Sequence, residues 1–127
     1  MQIHHIGILT NDLEGLTNFY VKYFGGKPRD LYCDPSEPVS IYFVDFPDGA
    51  KLEIMQKPNC KDYSKETLKT GLVHLAFSVG NREEVDAFSA KLKDSGVTLV
   101  MEPTLLGDGS YESCFADPDG NLIEIVI

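Results

Sequence analysis

Pro47-Asp48-Gly49-Ala50-Lys51-Leu52-Glu53-Ile54-Met55 returns 71 residues later as Pro118-Asp119-Gly120-Asn121-Leu122-Ile123-Glu124-Ile125-Val126. Each copy reads as a tight turn followed by an alternating strand with one carboxylate among apolar residues. A histidine precedes each copy at nearly the same interval, His5 ahead of Glu53 and His74 ahead of Glu124. A chain that repeats a His and a Glu at matched places is a duplicated chain, and the rest of it falls into the same two copies.

In the first copy, residues 3–10 read as a strand, with His5 and Gly7 on one face and Ile6 and Ile8 on the other. Asn11 is expected to cap a helix, with Glu14 completing a capping box. Leu13, Leu16, Phe19, Tyr20 and Phe24 recur at helical spacing as its buried stripe. Gly25-Gly26 ends it. Strands are expected at 29–33, 39–46 and 51–56, the last two joined by the Pro47-Asp48-Gly49 turn. The charged stretch 57–71 reads as a surface connection with one helical turn. In the second copy, 72–79 is a strand, Asn81 caps a helix with Val85, Phe88, Ala90 and Leu92 inward, and Ser95-Gly96 ends it. Strands at 97–101, 111–116 and 121–127 complete the copy. The expected class is therefore α+β, one domain over 1–127 made of module 1 (about 1–57), a linker (about 58–71) and module 2 (about 72–127). Each half is small enough to need a partner surface, from the other half or from a second chain.

The net charge of −9, from 11 Lys and Arg against 20 Asp and Glu, argues against a nucleic-acid backbone as partner. No basic amphipathic stretch and no apolar run of about 20 residues points to a membrane. The N-terminal residues carry no secretory pattern. Three scattered cysteines, Cys33, Cys60 and Cys114, form neither a disulfide framework nor a metal knuckle, and they fit a reducing cytoplasm.

Alternation puts His5, Glu53, His74 and Glu124 on the strand faces opposite the apolar residues that receive the helices. Two imidazoles and two carboxylates suit a divalent transition metal: Zn, Ni, Co, Mn or Fe rather than Ca or Mg. A lone strand histidine is usually a surface or hydrogen-bonded residue, and a lone glutamate is usually solvated. Four in register across a duplication argue for a shared role. His4 competes with His5, but register with His74 selects His5 and leaves His4 to hydrogen-bond nearby. Tyr42 and Tyr111 read as packing residues with a wet hydroxyl, Gly107-Asp108-Gly109 as a plain hairpin turn, and Cys114 as an unactivated thiol.

These residues resemble the vicinal oxygen chelate superfamily of glyoxalase I, fosfomycin-resistance and extradiol dioxygenase proteins. The likeness runs through His5-Ile6-Gly7-Ile8, Asp12-Leu13, Phe19-Tyr20, Lys51-Leu52-Glu53-Ile54, His74-Leu75-Ala76-Phe77-Ser78-Val79 and Asp117-Pro118-Asp119-Gly120-Asn121-Leu122-Ile123-Glu124. It implies tandem βαβββ modules whose strands form a curved, cup-shaped mixed sheet with helices outside, in a cytoplasmic homodimer. The complete His/Glu/His/Glu set is most similar to bacterial glyoxalase I. The resemblance then makes His5, Glu53, His74 and Glu124 the metal ligands, with Ni or Zn favoured, and Glu124 the proton shuttle. The implied reaction moves a proton α to a carbonyl through a metal-stabilised enediolate, on a small carbonyl or thioester substrate. Glutathione-using members carry an Arg and an Asn where Leu9 and Lys57 stand, which leaves the thiol open. An epimerase of the methylmalonyl-CoA type and a binding protein without turnover are the alternatives.

Overall fold

The computed structural model describes residues 3–61 and 70–127. The chain divides into two compact units, Met1–Ser64 and Lys65–Ile127. The first holds β1 (Ile6–Leu9), α1 (Leu13–Phe24), β2 (Lys27–Pro28), β3 (Tyr32–Cys33), β4 (Ser40–Asp45) and β5 (Lys51–Gln56). The second holds β6 (His74–Ser78), α2 (Arg82–Asp94), β7 (Thr98–Leu105), β8 (Tyr111–Ala116) and β9 (Leu122–Val126). The helical turn expected within 57–71 falls on 62–69, outside the described residues.

Both units carry a mixed sheet of one plan. Sheet 1 runs β1-β5-β4-β2, with β3 also on β4; sheet 2 runs β6-β9-β8-β7. β1 lies parallel to β5 and β6 parallel to β9, while the other pairs are antiparallel. The expected α+β class is what the structure has: two helices and two mixed sheets.

Each helix covers one face of its own sheet. In unit 1, Leu13, Leu16, Phe19 and Tyr20 are buried together with Val44, Leu52 and Ile54. In unit 2, Val85 and Leu92 are buried with Phe115, Ile123 and Ile125. Burying such side chains contributes on the order of 1.5–3 kcal/mol each, which is what fixes strand register. The alternation in β5 and β9 is complete: Leu52, Ile54, Ile123 and Ile125 are buried, and Glu53 and Glu124 lie on the other face. Gly26 allows the chain to pass close over β4, since a Cβ there would stand 2.4 Å from Val44 Cγ1.

Several expectations need correction. The cap of α1 is Asp12, not Asn11: its carboxylate accepts the Gly15 N–H at 2.9 Å. Glu14 does not close a capping box there; it accepts the Tyr42 hydroxyl at 2.9 Å instead. Asn81 does cap α2, accepting the Glu84 N–H. Ala90 faces solvent, and the buried stripe runs Val85, Ser89, Leu92. Ser89 is tolerated inside because its hydroxyl meets the Val85 carbonyl at 2.6 Å and Ser113 Oγ at 2.7 Å. In place of one strand at 29–33 there are two short ones, the first containing Pro28; as an edge strand, β2 needs no N–H from it. β7 extends past the expected 101 to Leu105, with irregular register between Leu99 and Thr104.

Candidate functional site

The face of each sheet away from its helix carries one His–Glu pair. In sheet 1, Gly7 stands beside Glu53, so His5 approaches the carboxylate diagonally, with Nε2 3.3 Å from Oε2. In sheet 2, Ala76 stands beside Glu124, and His74 Nδ1 lies 3.1 Å from Oε1. Exposure matches too: 37% and 18% for the His5 and Glu53 side chains, 41% and 19% for His74 and Glu124. A small residue beside each glutamate leaves room for it; a Cβ at Gly7 would come within 3.6 Å of Glu53 Oε2.

The structure thus brings His5 to Glu53 and His74 to Glu124. Among the described residues, no group of three or more His, Cys, Asp or Glu side chains stands ready to hold a metal. The pairs nevertheless fit metal ligation. Two donors about 2.1 Å from one ion and at right angles stand about 3 Å apart, which is the spacing of both pairs. Imidazole nitrogen with carboxylate oxygen is the donor chemistry that first-row transition ions favour.

His4 hydrogen-bonds as expected. The Lys51 ammonium can only donate, so His4 Nε2 accepts at 3.3 Å. His4 Nδ1, carrying the ring proton, then donates to His5 Nδ1 at 2.8 Å. Neutral His5 therefore bears its proton on Nε2, toward Glu53. Lys51 and Phe43 were not expected in the site. Phe43 pairs with Glu53 across β4 and β5, and its ring meets the His5 ring edge-on with centroids 5.6 Å apart. The hairpin register around Pro47-Asp48-Gly49 was the signal that placed it.

In sheet 2 the surroundings differ. Cys114 pairs directly with Glu124, and Met101 with Cys114. Burial pushes the Glu124 carboxyl above its ordinary value, nearby Glu112 adds to this and His74 opposes it. Burial also pushes the Cys114 thiol up, reinforced by Glu124, so the reading of Cys114 as unactivated stands. Tyr42 and Tyr111 lie on the helix faces, where they donate to Glu14 and to Asp86 at 2.9 and 2.6 Å. Gly107-Asp108-Gly109 belongs to a hairpin closed by the Leu106 N–H on the Ser110 carbonyl, the same closure as Phe46 on Ala50 and Asp117 on Asn121.

Paired strand–helix–sheet units with a polar pair on each open face define a class, and comparison with known proteins identifies it. The model of the Glyoxalase/Bleomycin resistance protein/Dioxygenase superfamily matches residues 2–125, and the chain belongs to that superfamily. It is 30% identical to the uncharacterized protein YurT of Bacillus subtilis (strain 168), over 99% of this chain and 98% of that one. It is 26% identical to a probable lactoylglutathione lyase of Synechocystis sp. (strain ATCC 27184 / PCC 6803 / Kazusa), over 99% and 95%. The crystal structure of a glyoxalase family protein from Enterococcus faecalis superposes with a TM-score of 0.77 at 27% identity, covering 99% of this chain and 97% of that one. Members of the superfamily bind small molecules, commonly hold divalent metals and often dimerise. No helix among the described residues is long and apolar enough to cross a membrane.

Proposed function

We propose that this protein is a metal-dependent lyase or isomerase of glyoxalase I type. The observation that carries it is the pair of His–Glu contacts, 3.3 and 3.1 Å, at equivalent register positions of two sheets. His5, Glu53, His74 and Glu124 are the ligands of one divalent ion, Ni or Zn by preference, with Co, Mn and Fe accepted by the same donors. When bound, the ion supplies Lewis-acid stabilisation to substrate oxygens that gain negative charge. The chain does the rest. Glu124, set between Cys114 and Ala76 in a half-buried place, takes a proton from the carbon α to the carbonyl and returns it to the adjacent carbon. Phe43 packs edge-on against the His5 ring and steadies it. The working form is a cytoplasmic homodimer.

A second reading, an epimerase acting on an acyl thioester, draws support from Leu9 and Lys57. Leu9 is 44% exposed on the open face, and Lys57 is turned to Glu37 at 3.6 Å. Neither offers the glutathione contacts that the resemblance implies.

Metal analysis of the purified protein tests the shared premise: about one Ni or Zn per chain in the wild type, and much less in Glu124→Gln and His74→Ala. A wild type that takes up no stoichiometric metal sinks the proposal. With metal bound, turnover of methylglyoxal plus glutathione against turnover of a racemic acyl-CoA separates the two readings. Solvent deuterium in recovered substrate marks α-proton abstraction, and its absence with either substrate counts for binding without turnover.

A further inference from the structure

The open face of sheet 1 holds a second polar group that the metal reading does not use. Arg29 follows β2, and its N–H donates to the Phe43 carbonyl at 2.8 Å. Its guanidinium grips Asp45 with both ends of the fork, Nε to Oδ2 at 2.6 Å and Nη2 to Oδ1 at 2.8 Å. The guanidinium carbon also lies 5.7 Å from the centroid of the Phe43 ring, the ring that touches His5. Lys51 faces Asp45 across the hairpin and reaches His4. The imidazole of the candidate ligand and a fixed guanidinium thus share one aromatic side chain.

Most surface arginines are mobile, and their ion pairs contribute little. This one is held by a two-point fork and an aromatic face. Asp45 occupies two of its five N–H donors. The side chain remains 55% exposed, so donors are left to meet a ligand. Charge adds a second argument. In a chain of net charge −9, Arg29 and Lys51 flank the single carboxylate of Asp45 beside the site. The duplication adds a third. The other sheet has Cys114, Ala116 and Leu122 where sheet 1 has Phe43, Asp45 and Lys51. Unit 2 forms the same sheet without this group, so the fold does not require it.

We infer that Arg29, assisted by Lys51, receives an anionic group of the substrate. The substrate class is then a carbonyl compound that also carries a carboxylate a few bonds from its reacting oxygens. Phe43 sets the spacing between the two ends, and Asp45 holds the guanidinium in place. This inference rests on the metal reading of His5 and Glu53 and names the substrate class for that same site.

Two hydroxamates of equal length test it on the nickel-loaded protein by titration calorimetry. Butyrohydroxamate and succinic acid monohydroxamate share the chelating head and differ in a methyl against a carboxylate at the far end. The carboxylate compound should bind roughly tenfold more tightly to the wild type, as a charge-assisted contact implies. Arg29→Gln should abolish that preference, and Lys51→Gln should reduce it. Melting curves of each variant confirm folding. Equal affinities in the wild type, or a preference that survives Arg29→Gln, overturn the inference alone. Failure of both hydroxamates to bind overturns the metal reading beneath it.

Discussion

His4 shows how a neighbour sets the orientation of a candidate ligand. Its ring stands between Lys51 and His5 and fixes the His5 Nδ1 position at 2.8 Å, leaving Nε2 for Glu53. Partners of this kind tune metal affinity by about 10- to 100-fold. Bound metal needs that Nε2 free of its proton, which the His4 contact opposes, so His4→Phe is expected to tighten nickel binding about tenfold by calorimetry, with the melting temperature of the metal-free protein little changed. Unchanged affinity would leave His4 a surface residue. Asp34 offers a prediction in pH. Its carboxylate accepts from the Ser36 hydroxyl, the Ser36 N–H and the Glu37 N–H, which hold its pKa down at about 2 against an ordinary 3.8. A depressed carboxylate stabilises the fold above its unfolded value and loses that contribution as pH falls through the folded one. The advantage of the wild type over Asp34→Asn in thermal melting should therefore be full above about pH 4 and vanish near pH 2. An advantage that persists unchanged at the acid end would contradict the assignment.

At the scale of elements, the two helices test how far local pattern reaches. Both were legible from apolar spacing and from the glycines at their ends, because a 3.6-residue period and a left-handed Gly25 leave few alternatives. The cap of α1 was misplaced by one residue. Asn11 and Asp12 are both good caps, and only tertiary geometry chooses between them. Asp12→Ala should cost about 1 kcal/mol in urea unfolding, with Asn11→Ala costing clearly less; the reverse order would restore Asn11 as the cap. The two-residue strands β2 and β3 were illegible for a simpler reason, since so short a segment shows no period. Ser89 was missed because a serine in a helix stripe looks like a break. Its partner Ser113 lies on a strand 24 residues away, and the pair becomes visible only in three dimensions.

Duplication governs the whole molecule, and it singled out the four candidate positions before any coordinates: one repeated phrase named Glu53 and Glu124, and register named His5 and His74. Alternation then put each pair on an open face, as the contacts of 3.3 and 3.1 Å bear out within each unit. The Arg29, Phe43 and Lys51 group was not readable, because it occurs in one copy only and repetition carries no signal for it. The proposal of one ion held by both pairs makes a demand on the intact chain. A ligand that binds only the folded state raises stability by about 2.7 kcal/mol at a hundredfold excess over its dissociation constant. Nickel should therefore raise the melting temperature of the wild type, at about one ion per chain. Because one imidazole and one carboxylate make a weak site alone, His5→Ala and His74→Ala should each remove nearly the whole increase. Were each pair an independent site, the wild type would bind two ions per chain, and each variant would keep about half of the response. A His5→Ala protein that retains the nickel-dependent rise would thus separate the two pairs and dismantle the four-ligand centre, even if each pair still bound metal on its own.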